Sequence, residues 1–135
     1  MAFGEKKKIV AVDDSAIVLK MLGKILGTKY ELHCFAGGGR ALEFLKTRTP
    51  DLIILDIDMP EIDGYEMLRL IREYEHLANV PVIFLTSNND KNYVLKAVAG
   101  GAKDYVIKPI DEELLMGKVR AQLGETGGNI YGRNR

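Results

Sequence analysis

Five residues with chemically useful side chains stand directly behind short apolar runs of the sequence. One such run precedes both Asp13 and Asp14, and later runs precede Asp56, Thr86 and Lys108. Three carboxylates brought together repel one another unless a cation neutralises them, and a hard divalent ion such as Mg²⁺ prefers oxygen ligands of this kind. A lysine and a hydroxyl beside that ion supply what a phosphoryl group needs, and an aspartate is a competent nucleophile toward phosphorus. If the fold brings these residues together, we expect phosphoryl-group chemistry.

The apolar runs themselves have the character of buried strands. We predict strands over residues 8–12, 30–35, 52–55, 82–85 and 104–107. Four of these five runs are nearly continuous in apolar character, which is typical of strands covered on both faces in a parallel sheet.

Helical patterns separate the predicted strands. They cover residues 15–26, 39–46 and 64–74, and two more begin after Asp90 and Asp111, the last running to about Leu123. In the first helix one apolar face is predicted to comprise Ile17, Val18, Met21, Leu22, Ile25 and Leu26. Because strand and helix alternate five times, we predict an α/β fold, a doubly wound five-stranded parallel sheet with helices on both faces. Such sheets bind ligands at the carboxyl ends of their strands, where the five residues above converge.

The composition restricts the class of protein. Of the 135 residues, 47% are hydrophobic and 28% are charged, which is the balance of one globular domain. Since 19 Lys and Arg match 19 Asp and Glu, no global positive field favours direct nucleic-acid binding. No apolar run approaches the roughly 18 residues that a membrane-spanning helix needs, and Cys34 is the single cysteine. We therefore expect a cytoplasmic protein without membrane contact or a disulfide.

Several short motifs, each at a predicted strand end, resemble the receiver domain of two-component response regulators, including the chemotaxis regulators. The motifs are Asp13-Asp14, Leu55-Asp56-Ile57-Asp58-Met59-Pro60 with Asp63-Gly64 behind it, Thr86-Ser87, and Lys108-Pro109. The resemblance spans about residues 6–123 and implies a flavodoxin-like sheet with the strand order 2-1-3-4-5.

The resemblance implies a role for each residue of the site. Asp56 would accept a phosphoryl group from the phosphohistidine of a histidine kinase, or from a small acyl phosphate. Asp13, Asp14 and Asp56 would hold Mg²⁺ together with the backbone carbonyl of Asp58, and Lys108 would pair with the phosphoryl oxygens. The protein would catalyse its own phosphorylation and dephosphorylation without being a turnover enzyme.

The resemblance also implies a switch. Thr86 would move to hydrogen-bond the new phosphoryl group, and Tyr105 would follow it inward, which is a population shift driven by new charge. Asp58 and Asn88 would tune the lifetime of the phosphoryl group. The peptide bond between Lys108 and Pro109 would be cis, although only about 5 to 6% of X-Pro bonds are.

Two other functions compete with this one. Asp13 and Asp14 alone could simply cap the first helix, and a receiver-shaped interaction module that is never phosphorylated would share the fold. A haloacid-dehalogenase-type phosphatase also places an Asp-x-Asp motif after a strand, as Asp56 and Asp58 are placed. That motif normally opens the domain and has Thr or Val where this chain has Pro60, so the phosphatase ranks low.

The expected partners follow from the resemblance. A histidine kinase or phosphotransfer protein would supply the phosphoryl group. The face made by the fourth helix, fifth strand and fifth helix, about residues 90–123, would contact an output domain, a downstream protein or a second copy in a homodimer. We divide the chain into a receiver domain at 1–123 and a glycine-rich flexible tail or linker at 124–135.

Overall fold

Five strands form one sheet in the computed structural model, which describes residues 5–125. The strands are β1 (Lys8–Val12), β2 (Glu31–Phe35), β3 (Leu52–Asp56), β4 (Val82–Thr86) and β5 (Asp104–Ile107). Their order is β2-β1-β3-β4-β5, and every pairing is parallel. The predicted fold class and strand order are confirmed.

Five α-helices connect and follow the strands: α1 (Ala16–Leu26), α2 (Gly38–Leu45), α3 (Gly64–Ile71), α4 (Lys91–Ala99) and α5 (Glu112–Gln122). Side-chain caps start four of them, since Ser15, Asp63, Asp90 and Asp111 accept hydrogen bonds from backbone N–H groups in the first turns of α1, α3, α4 and α5. The predicted extension of the third helix to residue 74 is wrong. Tyr74 has an extended backbone, with φ −92° and ψ 125°, and a 3₁₀-helix over Glu75–Leu77 follows it.

The sheet separates two apolar cores, because alternate residues of its strands face opposite sides. Val10, Ile53 and Phe84 pack with α2, α3 and α4 on one face. Ile9, Ile54 and Leu85 pack with α1 and α5 on the other. All residues of β3 and β4 are buried, as expected for strands covered on both faces.

The buried face of α1 is narrower than predicted. Leu22 and Leu26 are buried, whereas Ile17 is 76% exposed and Met21 is 37% exposed. Ile17 and Met21 lie along one side of the helix. Leu22 and Leu26 lie along the neighbouring side, and that side faces the sheet. The first helix therefore leaves part of its apolar face in solvent.

The end of the described chain contacts the domain. Glu125 lies in the predicted tail, yet its Oε1 atom accepts a hydrogen bond of 2.7 Å from the hydroxyl of Tyr30. Residues 126–135, the rest of the predicted tail, lie outside the described residues. Within residues 5–125, no helix has the length and apolar character needed to cross a membrane.

Candidate functional site

The carboxyl ends of the strands bring the predicted residues to one edge of the sheet. Asp13 directly follows β1, Asp56 and Thr86 are the last residues of β3 and β4, and Lys108 directly follows β5. One carboxylate oxygen from each of Asp13, Asp14 and Asp56 lies within 4.8 Å of the other two. Asp13 and Asp56 are buried, and Asp14 is exposed. We call these three residues the acidic pocket.

Backbone contacts position the buried acids. The Asp13 backbone N–H donates to the carbonyl of Phe35 on β2, and Asp13 Oδ1 accepts from the N–H of Ser15 at 2.9 Å. Near Asp56, the N–H of Gly64 donates to the carbonyl of Ile57 at 2.7 Å. A Cβ atom on Gly64 would lie 2.7 Å from the Asp56 carbonyl oxygen, so only glycine lets α3 begin this close to the pocket.

Lys108 contacts two of the three residues of the acidic pocket. Its ammonium lies 2.9 Å from Asp13 Oδ2 and 3.3 Å from Asp56 Oδ1. Burial alone would lower the pKa of Lys108, but the carboxylates of Asp13 and Asp56 outweigh it and hold that pKa above its ordinary value. Because its pKa is raised, Lys108 carries a positive charge at neutral pH. The peptide bond between Lys108 and Pro109 is cis, the isomer that the resemblance implies.

Asp56 titrates abnormally in this setting. Burial, and next the charge of Asp13, raise its pKa from 3.8 to about 7, although Lys108 opposes the shift. The pocket therefore carries more negative charge than Lys108 neutralises, and part of that excess is removed by protonation at neutral pH.

The acidic pocket fits a hard divalent cation. Asp13 Oδ2 is buried and, despite its ion pair with Lys108, receives no hydrogen bond of suitable direction. Lys108 supplies one positive charge beside three carboxylates, so a bound cation would reduce the repulsion that remains. Three carboxylate oxygens in reach of one another are the oxygen donors that Mg²⁺ prefers.

The predicted switch residues and the predicted lifetime-tuning residues are not part of the acidic pocket itself. Thr86 is buried, and its hydroxyl oxygen accepts a hydrogen bond of 3.0 Å from the N–H of Asn88. Asn88 is exposed, and its Oδ1 atom accepts from the N–H of Asp90. Asp58 is exposed two residues beyond Asp56. Tyr105, on β5, is half-buried against the core that contains Phe84.

We expect Asp56→Asn to stabilise the metal-free protein at high pH but not at low pH. The folded protein holds the Asp56 proton up to a pKa of about 7, so the contribution of Asp56 to stability falls as pH rises from about 4. Asparagine removes this loss, which we put on the order of 2 kcal/mol above pH 7. Urea unfolding of both proteins at pH 4.5 and pH 8 in a chelator measures the difference.

Asp51→Asn is the matched control for that measurement. Asp51 is exposed at the other end of β3, and its carboxylate accepts a hydrogen bond from the N–H of Lys8. Asparagine retains a carbonyl acceptor there. If Asp56→Asn and Asp51→Asn change the free energy of unfolding equally at both pH values, the charge repulsion in the acidic pocket is not a source of instability.

Two contacts near the site are not predicted by the sequence pattern. Gly64 was noted only as part of a motif, and its contact with the backbone of Asp56 is visible only in three dimensions. The contacts of Lys118 with Tyr105 were not predicted, because no local pattern links α5 to β5.

The fold and the site define a parallel α/β protein with one acidic, lysine-paired pocket at the carboxyl edge of its sheet. Residues 9–120 match the family described as the response regulator receiver domain. The chain belongs to that family and is a receiver domain of two-component signalling.

Named relatives agree with this assignment. The transcriptional regulatory protein AfsQ1 of Streptomyces coelicolor is 37% identical over 82% of this chain and 48% of its own length. This chain therefore spans about half the length of that relative. The structure titled BeF3 activated DrrB receiver domain has a TM-score of 0.80 and 33% identity, covering 88% of this chain and 98% of that one.

A second solved structure has a similar fold and contains a metal ion. The receiver domain of the sensor histidine kinase PA1611 from Pseudomonas aeruginosa PAO1 has a TM-score of 0.81 and 27% identity, covering 88% of this chain and 98% of that one. It was solved with a magnesium ion coordinated in its active site cleft.

Proposed function

We propose that Asp56 accepts a phosphoryl group from the phosphohistidine of a histidine kinase or phosphotransfer protein, or from a small acyl phosphate. The observation that carries this proposal is the placement of Asp56. Its carboxylate is buried, has an oxygen within 4.8 Å of carboxylate oxygens of two other acids, and lies 3.3 Å from a charged lysine. A carboxylate in these surroundings can act as a nucleophile, and the lysine supplies part of the positive charge that the phosphoryl oxygens need.

The transfer exchanges one bond to phosphorus for another. An oxygen of the Asp56 carboxylate forms the new P–O bond while the P–N bond of the donor breaks, and its electron pair returns to the donor imidazole. Lys108 pairs with the phosphoryl oxygens, which lowers the cost of bringing their charge beside Asp13. The products are an aspartyl phosphate and a free histidine, and no water is consumed.

Asp13, Asp14, Asp56 and the backbone carbonyl of Asp58 are the groups that we propose to hold Mg²⁺. When bound, the ion supplies positive charge to the phosphoryl oxygens. The magnesium ion in the similar PA1611 receiver supports this assignment, as does the excess of carboxylate charge over the single charge of Lys108 in the acidic pocket.

Thr86 and Tyr105 are the proposed switch. The Thr86 hydroxyl would leave the N–H of Asn88, 3.0 Å away, and donate to a phosphoryl oxygen. Tyr105 would then move inward, and the surface of α4, β5 and α5 would change with it. Among the α4 side chains that the structure describes, Ala97 is buried in the core, whereas Leu95 and Val98 are exposed and available to a partner.

The signalling partners follow from this mechanism. We propose that the domain takes its phosphoryl group from a kinase and signals through the α4, β5 and α5 surface to an output domain, a separate protein or a second copy. It would catalyse only its own phosphorylation and dephosphorylation. We do not expect direct contact with nucleic acid or membrane, because the formal net charge of the chain is zero.

Asp58 and Asn88 are proposed to set how long the phosphoryl group persists. Both are exposed, Asp58 two residues beyond Asp56 and Asn88 two residues beyond Thr86, and there they can influence how water reaches phosphorus. Alanine at either position should change the rate at which the adduct is lost, measured by mass after removal of the donor. Unchanged rates in both variants would contradict this role.

Intact-protein mass after incubation with acetyl phosphate and Mg²⁺ tests the proposed function. We expect one phosphoryl adduct, absent when a chelator is present. If neither acetyl phosphate nor a kinase gave an adduct and beryllofluoride did not bind, the interaction module that is never phosphorylated would be favoured instead. Steady turnover of a phosphate monoester would favour the phosphatase.

A further inference from the structure

A second polar cluster lies on β5 and α5, outside the acidic pocket. The Lys118 ammonium donates to Asp104 Oδ1 at 2.9 Å and to the carbonyl oxygen of Tyr105 at 2.6 Å. The same ammonium lies 4.7 Å from the centroid of the Tyr105 ring. Asp104 Oδ1 also accepts from the N–H of Tyr105 at 2.8 Å. Both backbone polar groups and the ring of Tyr105 are thus contacted by one ion pair.

Lys118 reaches the ring across the edge of the sheet. Tyr105 packs against the core on the side of α2, α3 and α4, whereas its neighbour Val106 packs on the side of α1 and α5. Lys118 belongs to α5, so its side chain passes over β5, the edge strand, to meet the ring. The side chains of Lys118 and Asp104 are 23% and 29% exposed. A partly desolvated cation interacts more strongly with an aromatic face than an exposed one does.

We propose that Lys118 is a positioning residue that holds the Tyr105 ring in its present orientation and thereby opposes the switch. This inference rests on the proposed function, in which Tyr105 moves when Asp56 is phosphorylated. Rotation about the Cα–Cβ bond of Tyr105 would carry the ring away from the ammonium. The contacts of Lys118 with Asp104 and with the Tyr105 carbonyl would remain, because neither involves the ring.

The ring contact is therefore the part of this cluster that distinguishes the two orientations. Only an interaction that differs between two states shifts their populations. A cation over an aromatic face at a partly exposed site is worth enough to change an equilibrium by about two- to fivefold. Removing the cation should make the inward orientation more populated, and ligands that require it should bind more tightly by the same factor.

Three variants separate positioning from simple support of α5. Lys118→Met keeps the length of the side chain and removes its charge. Lys118→Arg keeps a cation that can lie over the ring. Lys103→Met is the matched control, because Lys103 is an exposed lysine directly before β5.

The experiment uses the whole chain labelled with 3-fluorotyrosine and observed by ¹⁹F NMR. The chain has six tyrosines, so Tyr105→Phe identifies the Tyr105 signal. Beryllofluoride with Mg²⁺ is the probe, because it takes the place of a phosphoryl group on an aspartate. In Lys118→Met without probe, we expect the Tyr105 signal to move toward its position in the probe-saturated wild type, and the probe to bind about two- to fivefold more tightly. Lys118→Arg and Lys103→Met should behave as wild type.

The outcomes distinguish this inference from the proposed function. If the wild-type Tyr105 signal responds to the probe but Lys118→Met matches wild type in both signal position and affinity, Lys118 does not hold the ring. If Lys118→Arg changes as much as Lys118→Met, the cluster acts by supporting α5, and the inference is wrong. If the wild-type protein shows no response to the probe at all, the proposed function fails, and this inference fails with it.

Discussion

We expect Asp56→Asn to gain no phosphoryl group from acetyl phosphate and Mg²⁺ under conditions that modify the wild-type protein. An amide is not a nucleophile toward phosphorus, so the rate of adduct formation should fall by at least about a thousandfold. The fold should persist, because asparagine has the shape of aspartate and removes charge repulsion in the acidic pocket. Intact-protein mass over time, with unfolding by urea measured in parallel, gives both results.

The neighbouring acids are not expected to replace Asp56. Asp13 Oδ1 accepts from the Ser15 N–H and Oδ2 is paired with Lys108, so that carboxylate is already oriented. Asp51→Asn, at the opposite end of β3, should be phosphorylated at the wild-type rate. If Asp56→Asn formed a phosphoryl adduct at a rate near that of wild type, another residue would be the acceptor, and peptide mapping would identify it.

The location of the site could be predicted because its residues border strands of continuous apolar character. β1 at Lys8–Val12 and β5 at Asp104–Ile107 have the predicted bounds, and β3 and β4 each extend one residue further, to Asp56 and Thr86. Parallel strands end at one edge, so strand bounds were enough to bring Asp13 near Asp56. The roles of these residues came from the resemblance, since geometry alone does not distinguish a phosphoacceptor from a metal ligand.

Contacts between elements could not be predicted in the same way. Ile17 and Met21 have the helical spacing of core residues, but spacing does not say which arc of α1 faces the sheet. Lys118 lies 13 residues from Tyr105 on another element, and their contact depends on how α5 lies against β5. These features are decided by packing, which the pattern of apolar residues describes only coarsely.

Lys108→Met should slow phosphorylation of Asp56 by about a hundredfold while leaving the fold intact. The ammonium lies 2.9 Å from Asp13 Oδ2 and 3.3 Å from Asp56 Oδ1, where it is placed to meet the oxygens of the transferred group. Loss of one preorganised charge at such a position typically costs about a hundred- to a thousandfold in rate. Methionine preserves the length of the apolar stem.

The same variant should also change the pH dependence of the reaction. Lys108 lowers the pKa of Asp56 against the opposing effects of burial and Asp13, so its removal should raise that pKa further. The fraction of ionised Asp56 at pH 7 then falls, and the midpoint of the rate profile should move to higher pH. Initial rates of adduct formation between pH 5.5 and pH 9, at constant ionic strength and with Mg²⁺, measure the midpoint.

Two comparisons make this result specific to the position of the charge. Lys103→Met removes a lysine that is exposed at the start of β5 and should keep both the wild-type rate and the wild-type midpoint. Lys108→Arg retains a cation but replaces a compact ammonium with a planar group, so it should recover the midpoint more fully than the rate. A Lys108→Met protein with both the rate and the midpoint of wild type would show that neither the phosphoryl oxygens nor the Asp56 carboxylate depends on this ammonium. A slower rate with an unmoved midpoint would leave Lys108 as a contact of the transferred group and exclude it as a determinant of the Asp56 pKa.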